Sequence, residues 1–234
     1  MFSLPPQLNS VLLMVAQRLA AVPKLRWLVG GSAALALHGL ALPRPPRDLD
    51  LVSDATGAEH VAAVLTAGDQ PVSVVQLLAP VDDAKLTGLR ARFSFNGVEV
   101  DLLADARSRG ALGTLHCDLH VWWPRRTLVS LPSDAGEVAV GLLPLEYLLV
   151  LELVRERPER ADLIAAHLHQ RGFAWDAFSG LLAAMPGLEE PLYDVLNRVV
   201  PLARRAAKRR AKRKADKEIM DFFLRRGEHG PDKK

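Results

Sequence analysis

Two aspartates two residues apart, Asp48 and Asp50, open the run Asp48-Leu49-Asp50-Leu51-Val52-Ser53. Side chains alternate between faces along a strand, so both carboxylates point the same way. At a rise of about 3.3 Å per residue their Cα atoms lie about 6.5 Å apart. Two like charges on one sheet face are unfavourable unless solvent, cations or hydrogen-bond donors compensate them. Oxygen-only donors of this kind suit a hard cation such as magnesium. Upstream, Gly30-Gly31-Ser32 follows the apolar Trp27-Leu28-Val29. Glycines let a backbone approach a ligand where a side chain would collide. The free N–H groups that open the next helix favour an anion there, and Ser32 adds a hydroxyl.

Positioning these groups takes elements that the pattern supplies. Leu8 to Val22 carries Val11, Leu12, Val15 and Leu19 at helical spacing and predicts an opening helix. Leu25 to Val29 reads as a buried strand ending at Gly30-Gly31. A helix then starts at Ser32 and stops at Gly39, and the three prolines between Leu42 and Pro46 force an extended loop. Asp48 to Ser53 follows as a strand and Ala58 to Ala67 as a helix. Further strands are expected at Val72 to Leu78, Arg90 to Phe95 and Val98 to Leu103, the last two joined by the hairpin dipeptide Asn96-Gly97. A looser pair follows near Thr127 to Leu131 and Glu137 to Gly141. From Leu145 the pattern changes to helices: Leu145 to Arg155, Arg160 to Gln170, Trp175 to Ala184, and a long one from Glu190 into the tail. Strands mixed with helices, then helices alone, give an α/β (α+β) class: a mixed-sheet domain followed by a C-terminal helical domain. The boundary lies near Leu142-Leu143-Pro144, and no internal repeat is visible.

Gly-Gly-Ser after an apolar strand, then Asp-x-Asp flanked by apolar residues, resembles the signature of the DNA polymerase β-like nucleotidyltransferases. The flavour is that of bacterial members with Gly-Gly-x-Ala-Leu and Arg-Asp-x-Asp, such as aminoglycoside nucleotidyltransferases and the toxins of type IV toxin–antitoxin systems. The resemblance covers residues 25–105, with a weaker echo from Leu142 to Leu149 at the start of the helical part. It implies a nucleotidyltransferase domain at 1–142, a helical domain at 143–203 and a basic tail at 204–234. It also implies roles. Gly30, Gly31 and Ser32 would cradle the triphosphate of an NTP. Asp48 and Asp50 would ligate the magnesium that escorts pyrophosphate. Asp101, from Val98-Glu99-Val100-Asp101, would be the third carboxylate, completing a two-ion site for magnesium or, in its place, manganese. Asp105 shares its strand face and is the alternative. Arg47 reads either as a phosphate contact or as the partner of an acidic neighbour. Two departures stand out. The Ser32–Asp48 spacing is long, through the Pro43–Pro46 loop. Glu152 lies where the toxin-like members place a basic residue, with Arg155 and Arg157 after it.

The remaining chain bounds the acceptor. Hydrophobic residues make up 49% and charged residues 24%, as in an ordinary globular protein. The single cysteine, Cys117, allows no internal disulfide and fits a reducing compartment. With no signal-peptide pattern at Met1–Pro6 and no apolar span, a cytoplasmic protein without membrane attachment is expected. Residues 1–203 hold 17 Lys/Arg against 22 Asp/Glu, whereas residues 204–234 hold 13 against 5. The run Arg204, Arg205, Lys208, Arg209, Arg210, Lys212, Arg213, Lys214 repels itself in a helix unless a polyanion neutralises it. RNA, a tRNA end included, is therefore the favoured acceptor. A small-molecule or protein hydroxyl is the second reading, and a non-catalytic nucleotide- or RNA-binding module, which Glu152 favours, is the third. A toxin's protein antitoxin is a further partner the resemblance implies. His116-Cys117-Asp118-Leu119-His120 lacks zinc spacing and reads as packing beside Trp122-Trp123, with His167 and His169 on a helix surface.

Overall fold

A computed structural model describes residues 4–67, 72–134 and 136–199 of the chain. Helix α1 (Pro6–Ala20) buries Leu8, Val11, Leu12, Val15 and Leu19, the stripe its spacing predicts. Strand β1 (Trp27–Val29) leads through Gly30 into the short helix α2 (Gly31–Leu37). Strand β2 (Asp48–Ser53) is followed by helix α3 (Ala55–Thr66), capped by Asp54, whose carboxylate accepts from the Gly57 N–H at 2.6 Å. Strands β3 (Val72–Asp82), β4 (Leu86–Phe95), β5 (Val98–Gly110) and β6 (Gly113–His116) form a meander. After helix α4 (Leu119–Trp122) and a 3-10 turn, strands β7 (Thr127–Ser133) and β8 (Gly136–Leu142) make a second hairpin. Helices α5 (Leu145–Val154), α6 (Pro158–Arg171) and α7 (Trp175–Ala184) follow, then a helical segment at 189–199.

The strands form one mixed sheet in the order β3-β4-β5-β2-β1-β8-β7, with β6 paired to β5. Two of its pairings are parallel, β2 with β5 and β1 with β8. The other pairings are antiparallel. The β4–β5 turn is the one its sequence predicts: Asn96 and Gly97 both take positive φ, 52° and 80°. Helix α5 is buried on nearly every side, with each residue from Leu145 to Glu152 withdrawn from solvent, as its all-round apolar sequence requires.

Two expectations need correction. Strand β5 runs to Gly110 rather than stopping at Leu103, and β6 is an added strand. Beyond Leu103 the inward positions are Ala104, Ala106 and Ser108, small residues that carry no apolar signal, and Asp105, Arg107 and Arg109 face outward. Strand β3 likewise continues to Asp82. Among the described residues no helix is long and apolar enough to cross a membrane.

Candidate active site

The β2–β5 pairing sets the site. In parallel register Asp50 stands opposite Asp101 and Asp48 opposite Glu99, while the alternate residues Leu49 and Leu51 are fully buried. Asp48, Asp50 and Asp101 therefore share one face of two adjacent strands. Asp105 lies beyond the last β2–β5 partners, Ser53 and Ala104, and is exposed with φ 47°. The structure thus brings Asp101 beside the pair and leaves Asp105 out.

The Gly-Gly turn rests on the same strand. The Gly30 N–H donates to the Asp50 carbonyl at 2.9 Å. Gly31 has φ +56°, and a Cβ there would stand 1.7 Å from Asp50 Oδ2. The carboxylate therefore lies against bare backbone, and the position requires glycine both for conformation and for space. Ser32 is half-buried in the first turn of α2, and Arg47 is exposed just before β2.

Burial pushes the Asp50 carboxyl up to about 6; the neighbouring Asp48 adds to the rise, the positive charge of Arg155 opposes it, Asp101 adds again and Arg90 opposes. Arg155, at the C-terminal end of α5, lines a cleft with Gly30, Gly31, Asp50, Cys117 and Tyr147. Burial raises the Cys117 thiol to about 12, so it is an inert wall rather than a nucleophile.

Asp101 is held differently. Its Oδ1 accepts from Arg92 Nε at 3.0 Å and Arg90 Nε at 3.3 Å, and its Oδ2 accepts from Arg90 Nη2. Sequence reading misses both arginines, although a signal exists. A two-residue turn at Asn96-Gly97 pairs Phe95 with Val98, and counting outward sets Arg92 directly opposite Asp101. Among the described residues no group of three or more His, Cys, Asp or Glu side chains is arranged to hold a metal ion. Asp101, the third carboxylate that the resemblance implies, is here hydrogen-bonded to Arg90 and Arg92.

Glu152 has a local explanation. Its side chain is buried and flanked by Arg160 at 3.6 Å and Arg157 at 3.7 Å. It ties α5 to the start of α6. Close by, a Cβ on Gly110 would meet the Val154 carbonyl at 1.8 Å, so the end of β5 packs directly on the end of α5. Both features fix the corner from which Arg155 projects.

The other motifs are structural. Asp118 caps α4, accepting from the His120 N–H at 2.9 Å, and Trp122 packs on Tyr147 with ring centroids 5.1 Å apart. His167 is half-buried, with an Nε2 that has no hydrogen-bond partner, rather than lying on the surface as expected; His169 is exposed. A larger cavity, about 480 Å³, is lined by Leu115, Trp122, Leu181 and Met185 with the Arg125–Asp176 pair, and none of the predicted site residues borders it. The basic residues Arg204 to Lys214 lie outside the described residues.

No family model matches the chain, and no curated protein matches it. Among solved structures, a Thermotoga maritima protein assigned as a nucleotidyltransferase is 23% identical over 72% of this chain and 96% of that one, with a TM-score of 0.49. An antigenic nucleotidyltransferase-like protein of Paracoccidioides brasiliensis is 16% identical over 81% and 94%, with a TM-score of 0.39. ANT(2")-Ia, an aminoglycoside nucleotidyltransferase solved with adenylyl-2"-tobramycin, is 12% identical over 83% and 98%, with a TM-score of 0.41.

Proposed function

We propose that this chain is a nucleotidyltransferase that moves an NMP from an NTP to an acceptor hydroxyl, with RNA as the favoured acceptor. The observation that carries the reading is the approach of the Asp50 carboxylate to the bare backbone of Gly31, on the strand face shared with Asp48 and Asp101. It joins a backbone cradle of the kind phosphates use to a cluster of like charges that a cation would relieve.

Asp48 and Asp50 fit a hard cation: they are oxygen donors, share a face, and stand close enough for Asp48 to oppose the ionisation of Asp50. A magnesium or manganese ion bound there would neutralise phosphate charge. The chain's own groups do the rest. Gly30, Gly31 and Ser32 bind phosphate oxygens through backbone and hydroxyl, and Arg155, which lines the same cleft as the two glycines, adds a guanidinium from the end of α5. The acceptor oxygen bonds to the α-phosphorus as the bond to pyrophosphate breaks, and its proton passes to a carboxylate of the cleft. Glu152 is engaged with Arg157 and Arg160 rather than facing the cleft, which supports Arg155 as the phosphate contact.

The first test is incubation with each labelled NTP and total RNA. Label transfer to RNA supports the reading, and transfer only to small molecules or protein moves the acceptor. The role of the tail is tested by deleting residues 204–234. RNA affinity should fall, and its log–log salt slope should flatten by about 0.7 for each phosphate that the tail neutralises on a single strand. Equal slopes would make the tail a solvated end. An antitoxin partner would be sought by co-expressing the neighbouring gene and asking whether transfer stops.

A further inference from the structure

We propose, resting on the nucleotidyl-transfer reading above, that the Arg90–Asp101–Arg92 clamp takes the place of a second divalent cation. The chain then holds one such cation, on Asp48 and Asp50, and meets the triphosphate on the Asp101 side with guanidinium charge.

The first argument is the acceptor capacity of Asp101. An ionised carboxylate offers about four lone-pair sites. Three are used, two on Oδ1 by the Nε groups of Arg90 and Arg92 and one on Oδ2 by Arg90 Nη2. A magnesium ion needs its ligand oxygens at about 2.0–2.1 Å in near-octahedral array. Only one site of Asp101, on Oδ2, is left for such an approach, and a cation there would stand against the guanidinium of Arg90 that shares the same oxygen. Neither Asp48 nor Asp50 forms an ion pair among the described residues, so their oxygens carry no such obstacle.

The second argument is how firmly the clamp is built. The side chains of Asp101, Arg90 and Arg92 are 14%, 22% and 34% exposed, so the triad is largely withdrawn from water. Breaking a withdrawn pair leaves an uncompensated charge, which makes displacement costly. The arginines are also held by register. Arg92 is the cross-strand partner of Asp101, and Arg90 is the next residue on the same face. The β4–β5 ladder is regular from Phe95 to Leu89 and shifts only beyond it. The Asn96-Gly97 turn thereby fixes both guanidiniums over one carboxylate.

The third argument is what the clamp can do. A guanidinium is always charged and presents a fork of donors that matches phosphate oxygens. Arg90 is close enough to bear on the Asp50 charge as well. Positive charge therefore bears on Asp50 from two elements, from Arg155 on α5 and from Arg90 of the clamp on β4, without a second ion.

The test uses the full-length chain with manganese(II) and an NTP analogue whose α,β bridge is a methylene group, read by calorimetry and electron paramagnetic resonance. The expected result is one manganese per chain with the spectrum of an isolated ion. Arg90→Gln/Arg92→Gln frees Asp101 and should bind a second manganese at least tenfold more tightly than wild type, as an exchange-coupled pair about 3.5–4 Å apart. Arg92→Gln alone, checked by its melting curve, gives the same answer in weaker form if the double variant does not fold. A coupled pair in the wild type would overturn the clamp while leaving the nucleotidyl-transfer reading intact. A single ion in both variants would show that the arginines are not what excludes the second, and would also overturn it. If the wild type retains no manganese with the analogue, the nucleotide reading itself falls and the proposal goes with it.

Discussion

Asp50 and Asp101 are the same residue type, on the same sheet face, directly opposite each other on paired strands, and the fold treats them in opposite ways. Asp50 is set among like charges and against a glycine backbone, with its ionisation opposed by burial and by Asp48. Asp101 is given two guanidiniums. The difference separates a carboxylate kept short of compensation from one that is already satisfied. A satisfied carboxylate contributes to the fold; an undercompensated one costs stability and gains most from a ligand that brings positive charge. Substitutions at the two positions should therefore diverge in sign.

The largest divergence is expected in activity against stability. Asp48→Ala and Asp50→Ala should each lower NTP-dependent transfer by at least about 10²–10³-fold, the scale of losing one preorganised electrostatic group. Without divalent cation, both should melt at or above the wild-type temperature, because a repulsion is removed. Thermal melting beside a transfer assay checks this. Asp50→Ala melting well below wild type would make Asp50 a structural residue.

At Asp101 the stability effect should be opposite. Asp101→Ala leaves Arg90 and Arg92 facing each other with no anion, and should destabilise the fold by about 1–3 kcal/mol, less than a fully buried pair because all three groups keep some exposure. In a chain of this length that is a fall of about 2–4 °C per kcal/mol. Arg90→Gln/Arg92→Gln together with Asp101→Asn removes every charge of the triad and should recover part of the loss. If the triple variant melts no higher than Asp101→Ala, the clamp is not what stabilises this end of the sheet.

How much of this is legible in the sequence follows from the range of the interactions. Asp48, Asp50 and Gly31 sit within a short stretch, and their strand and turn are specified by local pattern. The hairpin Asn96-Gly97 is local too, and Asp101 carries over through the resemblance. The Arg90–Asp101–Arg92 clamp lies one step further. It requires reading a register across the turn, and arginines on a strand resemble a solvated face until the partner opposite them is counted. In the sequence Arg155 is visible only as a basic residue near Glu152, because nothing there says that α5 meets the end of β5. That approach depends on Gly110 lying against the Val154 carbonyl, a meeting of residues far apart along the chain. The extension of β5 is hidden for a different reason. Its inward face there is built from alanine and serine, which pack a strand without announcing one.

A middle-sized effect tests the corner that positions Arg155. Arg155→Ala should raise the KM for NTP about tenfold while leaving the melting temperature nearly unchanged, since its side chain is half-buried and its part is played toward ligand. Glu152→Ala should raise KM as well but also lower the melting temperature, because it frees Arg157 and Arg160 and loosens the turn into α6. Glu152→Gln, which keeps the shape, should recover stability before it recovers KM. If Glu152→Ala changes melting alone, Arg155 is held by other packing, such as that between Gly110 and Val154.

The smallest expected effect is a near absence, in the cation-free wild type between about pH 4 and 6. Two groups oppose each other there. His38 is buried, its Nε2 donating to the Leu143 carbonyl at 2.9 Å, and burial lowers its pKa from 6.5 to about 4. As pH falls from 6.5 the unfolded chain takes up that proton and the folded chain does not, so stability is lost down to about pH 4. Asp50 runs the other way. Its pKa is raised from 3.8 to about 6, so the folded chain holds a proton that the unfolded chain has released. The stability it contributes is full below about 3.8 and is lost as pH rises through about 6. One contribution grows while the other shrinks, and from these two groups the wild-type profile should be almost flat across the window. Asp50→Asn removes only the second. That variant should be more stable than wild type at about pH 7 and should lose stability steadily as pH falls from 6.5 to about 4. Urea melts at several pH values, with chelator present, read both curves. A wild type that falls as steeply as Asp50→Asn would mean that Asp50 does not take up its proton in this range, and the contrast between the two carboxylates would then rest on the Asp101 clamp alone.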